Sequence, residues 1–153
     1  MSNEQKTLVF TETGQPELTY AELERLCELP AKQRADAIAR RAPEIVRVIG
    51  EDVMCWRNGV DGGSWFEGED VMFVMGNFDP LRNLNQAVAA MDKMIARGWG
   101  FVPKWNGLDF SAVDAFHYEK RLHVRALYWG DQPERHAAAL ALTVALAALL
   151  EKE

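Results

Sequence analysis

Residues Ala137–Leu150 (AAALALTVALAALL) have no polar face: thirteen of the fourteen are Ala, Leu or Val, and the exception is Thr143. Apolar side chains all round a helix need cover on more than one side. Leu140, Leu142, Val144, Leu146 and Leu149 are therefore expected in the core or at a subunit interface. Asp131 as cap, Pro133 in the first turn and Glu134 completing an Asp-x-x-Glu box mark the start of this helix. A second periodic stretch places Leu81, Leu84, Ala87, Val88, Met91, Met94 and Ile95 on one helical stripe. Asp79-Pro80 is expected to open it and Gly98 to close it. Ile45, Val46, Ile49, Val53, Met54 and Trp56 form a third stripe, entered at Pro43 and interrupted by Gly50, a residue that weakens a helix by about 1 kcal/mol relative to Ala. Before it lie the basic, Ala-rich Arg34–Arg41 and a short helix capped by Thr19 and Glu22 and ended by Pro30.

Elsewhere the pattern shortens. Phe101–Trp105 reads as a strand, and Pro103 assigns it to an edge or a bulge. Phe116–Trp129 alternates, with Phe116, Tyr118, Leu122, Val124, Ala126 and Tyr128 on one parity and His117, Glu119, Arg121, His123 and Arg125 on the other. It is either one long strand or a hairpin turning near Glu119–Arg121. Residues 58–78 read as a Gly-rich loop holding Trp65 and Phe66, with a short strand at Val71–Met75. Thr7–Thr11 is a further strand candidate. From residue 80 the order is helix, strand, strand, helix. The economical architecture is α+β, a small antiparallel sheet covered by helices as an α-β-α sandwich over residues 31–153, with residues 1–30 as an N-terminal appendage.

Length and composition fit that picture. The chain has 153 residues, 48% of them hydrophobic, enough for one domain with a core. No stretch reaches the roughly 20 apolar residues of a membrane span, and the N-terminus lacks a basic-then-apolar leader. The expected location is the cytoplasm. Cys27 and Cys55 lie in helix-like surroundings and are expected as buried free thiols. A net charge of −6 opposes non-specific binding to nucleic acid.

The polar parity supplies the candidate site. His117, Arg121, His123 and Arg125 gather imidazoles and guanidiniums within nine residues of an acidic chain. On one face they would suit a phosphate or carboxylate, because Arg makes paired, charge-assisted bonds to such groups. The same pattern also fits a solvated side of an antiparallel sheet. Trp65 and Phe66 offer a stacking surface for a base, or anchors that hold their loop to the core. His117 and His123 with Glu119 or Asp114 are a weaker arrangement for a metal. No catalytic set, metal site or cofactor is assigned: Ser64 and Ser111 stand in no nucleophile motif, and the glycines form no phosphate loop.

Three segments carry a resemblance. IVRVIGEDVMCWR (Ile45–Arg57), NFDPLRNLNQAVAAMDKMIARG (Asn77–Gly98) and ALALTVALAALL (Ala139–Leu150) resemble, in order, the helices of the phage ABA sandwich domain family. The resemblance implies an α-β-α arrangement and a bacteriophage or prophage origin, with no catalytic residues to transfer. What it implies for function is a non-enzymatic protein of the infected cell's cytoplasm that sequesters a host-derived ligand. The concrete form is capture of a nucleotide-type immune signal; separately, the all-round apolar terminal helix and the loop aromatics lead to the expectation of a homo-dimer, the commonest closed assembly. The rivals are an inhibitor of a host defence protein, an accessory or structural phage protein, and a hydrolase of the signal.

Overall fold

The computed structural model describes residues 17–59, 64–74, 77–106, 110–129 and 134–153, with the backbone alone at Trp129. The expected strand Thr7–Thr11 and the expected cap formed by Asp131 and Pro133 lie outside the described residues. The described part is α+β, with five α-helices and two three-stranded antiparallel sheets packed against them.

Helix α1 (Tyr20–Cys27) starts where the sequence places it: the Thr19 hydroxyl accepts from the Glu22 N–H at 3.2 Å. Its buried residues Leu23 and Cys27 join the main core, so part of the segment read as an appendage is packed into the domain. Helix α2 (Ala31–Arg40) begins after Pro30. Helix α3 (Ala42–Val48) carries Pro43 in its first turn. Arg41 at the joint is buried, and its guanidinium lies 2.7 Å from Glu22 and 3.1 Å from the buried Glu44.

The chain then widens into a π-helical turn, Ile49–Val53. Gly50 sits here for a steric reason. A Cβ at this position would fall inside the van der Waals shell of the Trp65 ring, so glycine is what lets the indole lie against the helix. Trp65 belongs to a small sheet of order β1-β2-β3, formed by β1 (Arg57–Asn58), β2 (Trp65–Glu67) and β3 (Asp70–Phe73). The segment read as a loop is thus partly a hairpin, turned at Gly68 with φ +62°. Trp56, Trp65, Phe73 and Phe78 meet there, with ring centroids 5.1 to 5.9 Å apart.

Helix α4 (Leu84–Ala96) starts one turn later than Asp79-Pro80 suggests. Asn83 is the cap, accepting from the Gln86 N–H at 3.1 Å. Asp79 instead opens a tight turn, its carbonyl accepting from the Arg82 and Asn83 N–H groups. The Gln86 side chain fastens that turn by bonding the Asp79 N–H and the Asn77 carbonyl, which outcompetes a cap at Asp79. Gly98, with φ +104°, ends the helix.

The larger sheet has the order β4-β5-β6, from β4 (Trp99–Trp105), β5 (Phe110–His117) and β6 (Leu122–Trp129). Pro103 lies on an edge strand, where its missing N–H costs no ladder bond. Residues 110–129 form the hairpin rather than one strand. Its turn, Tyr118–Arg121, places Arg121 at φ +55°.

Helix α5 (Arg135–Glu151) is the centre of the molecule. It packs against β5 and β6 and against α1, α3, α4 and the π-helical turn. Leu140, Leu142, Val144, Leu146 and Leu149 are all buried, so its apolar circumference is covered within one chain. Thr143 is satisfied internally: its hydroxyl lies 2.7 Å from the Ala139 carbonyl and 3.2 Å from that of Val113 on β5. Glu134 stands at the N-cap position, not one turn inside, and its side chain makes no capping bond. Among the described residues, no helix is long and apolar enough to cross a membrane.

Candidate functional site

The hairpin register decides the fate of the polar parity. His117 pairs with Leu122, Phe116 with His123 and Asp114 with Arg125. Residues directly opposite in an antiparallel ladder share a face. An odd-numbered residue on β5 is therefore matched by an even-numbered one on β6, and the parity changes sides across the four-residue turn. His117 falls on the helix-facing side with Val113, Ala115, Leu122, Val124 and Ala126. His123 and Arg125 fall on the outward side, and Arg121 belongs to the turn.

His117 is a structural residue. It is 3% exposed. Its Nε2 lies 2.9 Å from the Arg97 carbonyl, and its Nδ1 accepts from the Lys120 N–H at 3.2 Å. Those partners assign the neutral ring a proton on Nε2. Gly98 makes room for it: a Cβ there would lie 2.8 Å from Nε2. Arg97 is spent nearby, reaching Glu151 and the carbonyls of Asp52 and Val53 that end the π-helical turn. His117 and His123 lie on opposite faces, which removes the metal arrangement built on both.

The outward face holds an ion cluster. Asp114, 7% exposed, receives His123 Nε2 at 3.0 Å, Arg125 Nε at 3.6 Å and Lys104 Nζ at 3.8 Å. Lys104 arrives from the neighbouring edge strand, unforeseen in the sequence, while Asp114, considered there only as a metal ligand beside His123, is the central carboxylate. Phe116 stacks on His123, with centroids 4.6 Å apart and planes 9° apart. Of the residues suspected of binding an external anion, His123 and Arg125 are gathered round an internal one.

The aromatic half of the expected site is also placed elsewhere. Trp65 is 3% exposed, packed on Gly50 and Phe78, so its faces are not open to a ligand. Phe66 is partly exposed, and the Arg57 guanidinium covers its ring at 4.5 Å. Of the two thiols, Cys27 is buried, and that burial pushes its pKa up to about 12. Cys55 is exposed, because the chain leaves the π-helical turn there at φ +61°.

A concave site lies where α2, α3, the start of α5, the end of β6 and the Asp79–Arg82 turn meet. This cleft has a volume of about 540 Å³, within the usual range for small-molecule pockets. Ala35, Ile38, Ala39, Ala42 and Ala138 make much of its lining; small side chains on three helices keep it open. Its polar groups are Asp79, Arg82, Tyr128, Glu134 and Arg135. Arg82 is exposed and lies 3.9 Å from Asp79. Arg135 is buried and donates to the Asn106 carbonyl at 3.3 Å. Burial raises the Tyr128 pKa, the Glu134 charge adds to the rise, and Arg34 opposes it. The phenol is therefore a hydrogen-bond donor at neutral pH. Arg34 itself is occupied, bonding the carbonyls of Leu29 and Leu127.

The sequence reading missed this constellation because its members come from separate segments and meet only in the folded chain. The one local signal is Arg135, a cation in the first turn of a helix whose following run is apolar. No protein-family model, curated protein or solved structure matches the chain.

Proposed function

We propose that the protein captures a small phosphorylated, nucleotide-type ligand without converting it, and that the cleft is the capture site. The observation that carries this reading is a nucleotide-sized hollow bordered by Arg82, Arg135 and the Tyr128 phenol over an apolar floor. Guanidiniums suit phosphate oxygens, and the apolar floor and tyrosine suit a flat ring. The three segments similar to the phage ABA sandwich family support the setting: a phage or prophage protein acting in the host cytoplasm to sequester a host immune signal. Sequestration asks for affinity in the ground state and not for transition-state stabilisation. The dimer belongs to the same proposal, and the exposed apolar residues Val71, Met72 and Val74 are its support.

Native mass spectrometry of the protein purified from its producing cell, followed by calorimetry against linear and cyclic nucleotides, tests this reading. The expected result is a two-subunit mass and a retained phosphorylated molecule that is released intact. A cleaved ligand transfers the case to the hydrolase. No retained molecule and no heat with any nucleotide transfer it to the inhibitor of a host protein.

A further inference from the structure

Resting on the reading that the protein is a dimer, we infer that its two copies join through α4, laid antiparallel against the α4 of the second copy across a two-fold axis. The core of a single copy covers this helix incompletely. Ala87, Ala90 and Met94 form its buried line. Beside them runs a second apolar line, Leu84, Val88, Met91 and Ile95. Leu84 and Ile95 are exposed, and Val88 and Met91 are half-buried. At about 100° per residue the four fall within roughly 60° of one another on the flank of the helix. A surface helix ordinarily turns polar side chains to solvent, so a continuous apolar line there asks for cover.

The spacing points to a second copy as that cover. The steps between the four residues are those of a two-helix seam, and they read the same from either end. With the axis between Ala89 and Ala90, Leu84 of one copy meets Ile95 of the other, and Val88 meets Met91, each contact being made twice. The polar flank agrees with this arrangement. Asn85 and Asp92 border the line and are exposed. A two-fold axis across the helices turns this same flank of both copies together, which brings the Asn85 amide of one beside the Asp92 carboxylate of the other, a donor against a charged acceptor. The exposed apolar residues of β3 are arranged less well for one contact. Val71 and Met72 are neighbours on a strand and point to opposite faces, so a single flat surface takes only one of them.

Light scattering and cysteine cross-linking of the full chain, with Cys55→Ser removing the exposed thiol, test the inference. The unaltered protein should have a two-subunit mass. Ile95→Lys should raise the dimer dissociation constant at least about a hundredfold, because the two-fold axis buries the new charge twice. Its far-ultraviolet circular dichroism should be unchanged, since the side chain is exposed in a single copy. Leu84→Cys combined with Ile95→Cys should form a disulfide between copies on mild oxidation. Leu84→Cys alone should not, its two copies standing about 16 Å apart along the helices, beyond the reach of a disulfide. A dimer that survives Ile95→Lys, a double variant that fails to cross-link, or a Leu84→Cys variant that links to itself overturns the inference and assigns the dimer to another surface, β3 first among them. A one-subunit mass for the unaltered protein at micromolar concentration overturns the dimer reading itself.

Discussion

The two sides of the larger sheet use the same residue types to opposite ends. On the helix-facing side, His117 is sealed between the Arg97 carbonyl and the Lys120 N–H, and α5 fills the remaining space. On the outward side, His123, Arg125 and Lys104 stand half-exposed round Asp114. The lesson concerns charge: a cluster of cations is not an anion site when a carboxylate already occupies its centre. The proposed capture site lies instead on the helix side, where Arg82 and Arg135 border a hollow.

The largest expected contrast is in packing. Leu146→Ala, at 1% exposure in α5, should destabilise the fold by about 2–5 kcal/mol through lost burial and a cavity. Val102→Ala on the outward face, at 44% exposure, should change it by less than about 1 kcal/mol. Urea unfolding of both variants checks the difference, and equal losses would break the distinction between the two sides.

The histidines give the next contrast. His117→Ala leaves the Arg97 carbonyl and the Lys120 N–H without their partner in a buried place and should cost about 1–3 kcal/mol. His123→Ala removes one half-exposed arm from Asp114, which keeps Arg125 and Lys104, and should cost less than about 1 kcal/mol. The same unfolding series, run at one pH, decides it.

The smallest effect concerns pH. Burial, followed by the adjoining Arg135 charge, holds the His136 pKa below its ordinary 6.5. The unfolded chain therefore takes up a proton at this residue before the folded chain does. The stability it contributes is complete above pH 6.5 and is lost as pH falls from 6.5 through the folded value. Melting temperatures from pH 7.5 down to 5.5 should decline, and part of that decline should vanish in His136→Asn.

Much of the fold could be read from the sequence, for identifiable reasons. The all-round apolar run had to be central, and α5 is. The 81–95 stripe had to be a helix, and α4 is, although a Gln86 clamp moved its start to Leu84. Thr19 caps α1 as its spacing announces, while the Glu22 carboxylate reaches Arg41 instead of closing the box. The site was less legible because it depends on tertiary facts. A four-residue turn set the strand register and sent His117 and His123 to opposite faces. Gly50 gave Trp65 a place inside the core, where the sequence allowed either an anchor or a stacking surface. Arg82, Tyr128, Glu134 and Arg135 converge from three segments that share no local pattern.

Titration of a nucleotide monophosphate that binds the unaltered protein into two variants, Arg82→Ala and Arg125→Ala, tests the central claim most directly. Both replace an exposed arginine, so folding should be little affected in either. The account predicts that Arg82→Ala weakens binding by about 1.5–3 kcal/mol, the usual worth of a hydrogen bond to a charged group, while Arg125→Ala leaves the affinity within about twofold of the original. Loss of binding in Arg125→Ala with Arg82→Ala unchanged would contradict it and return the site to the outward face of the sheet.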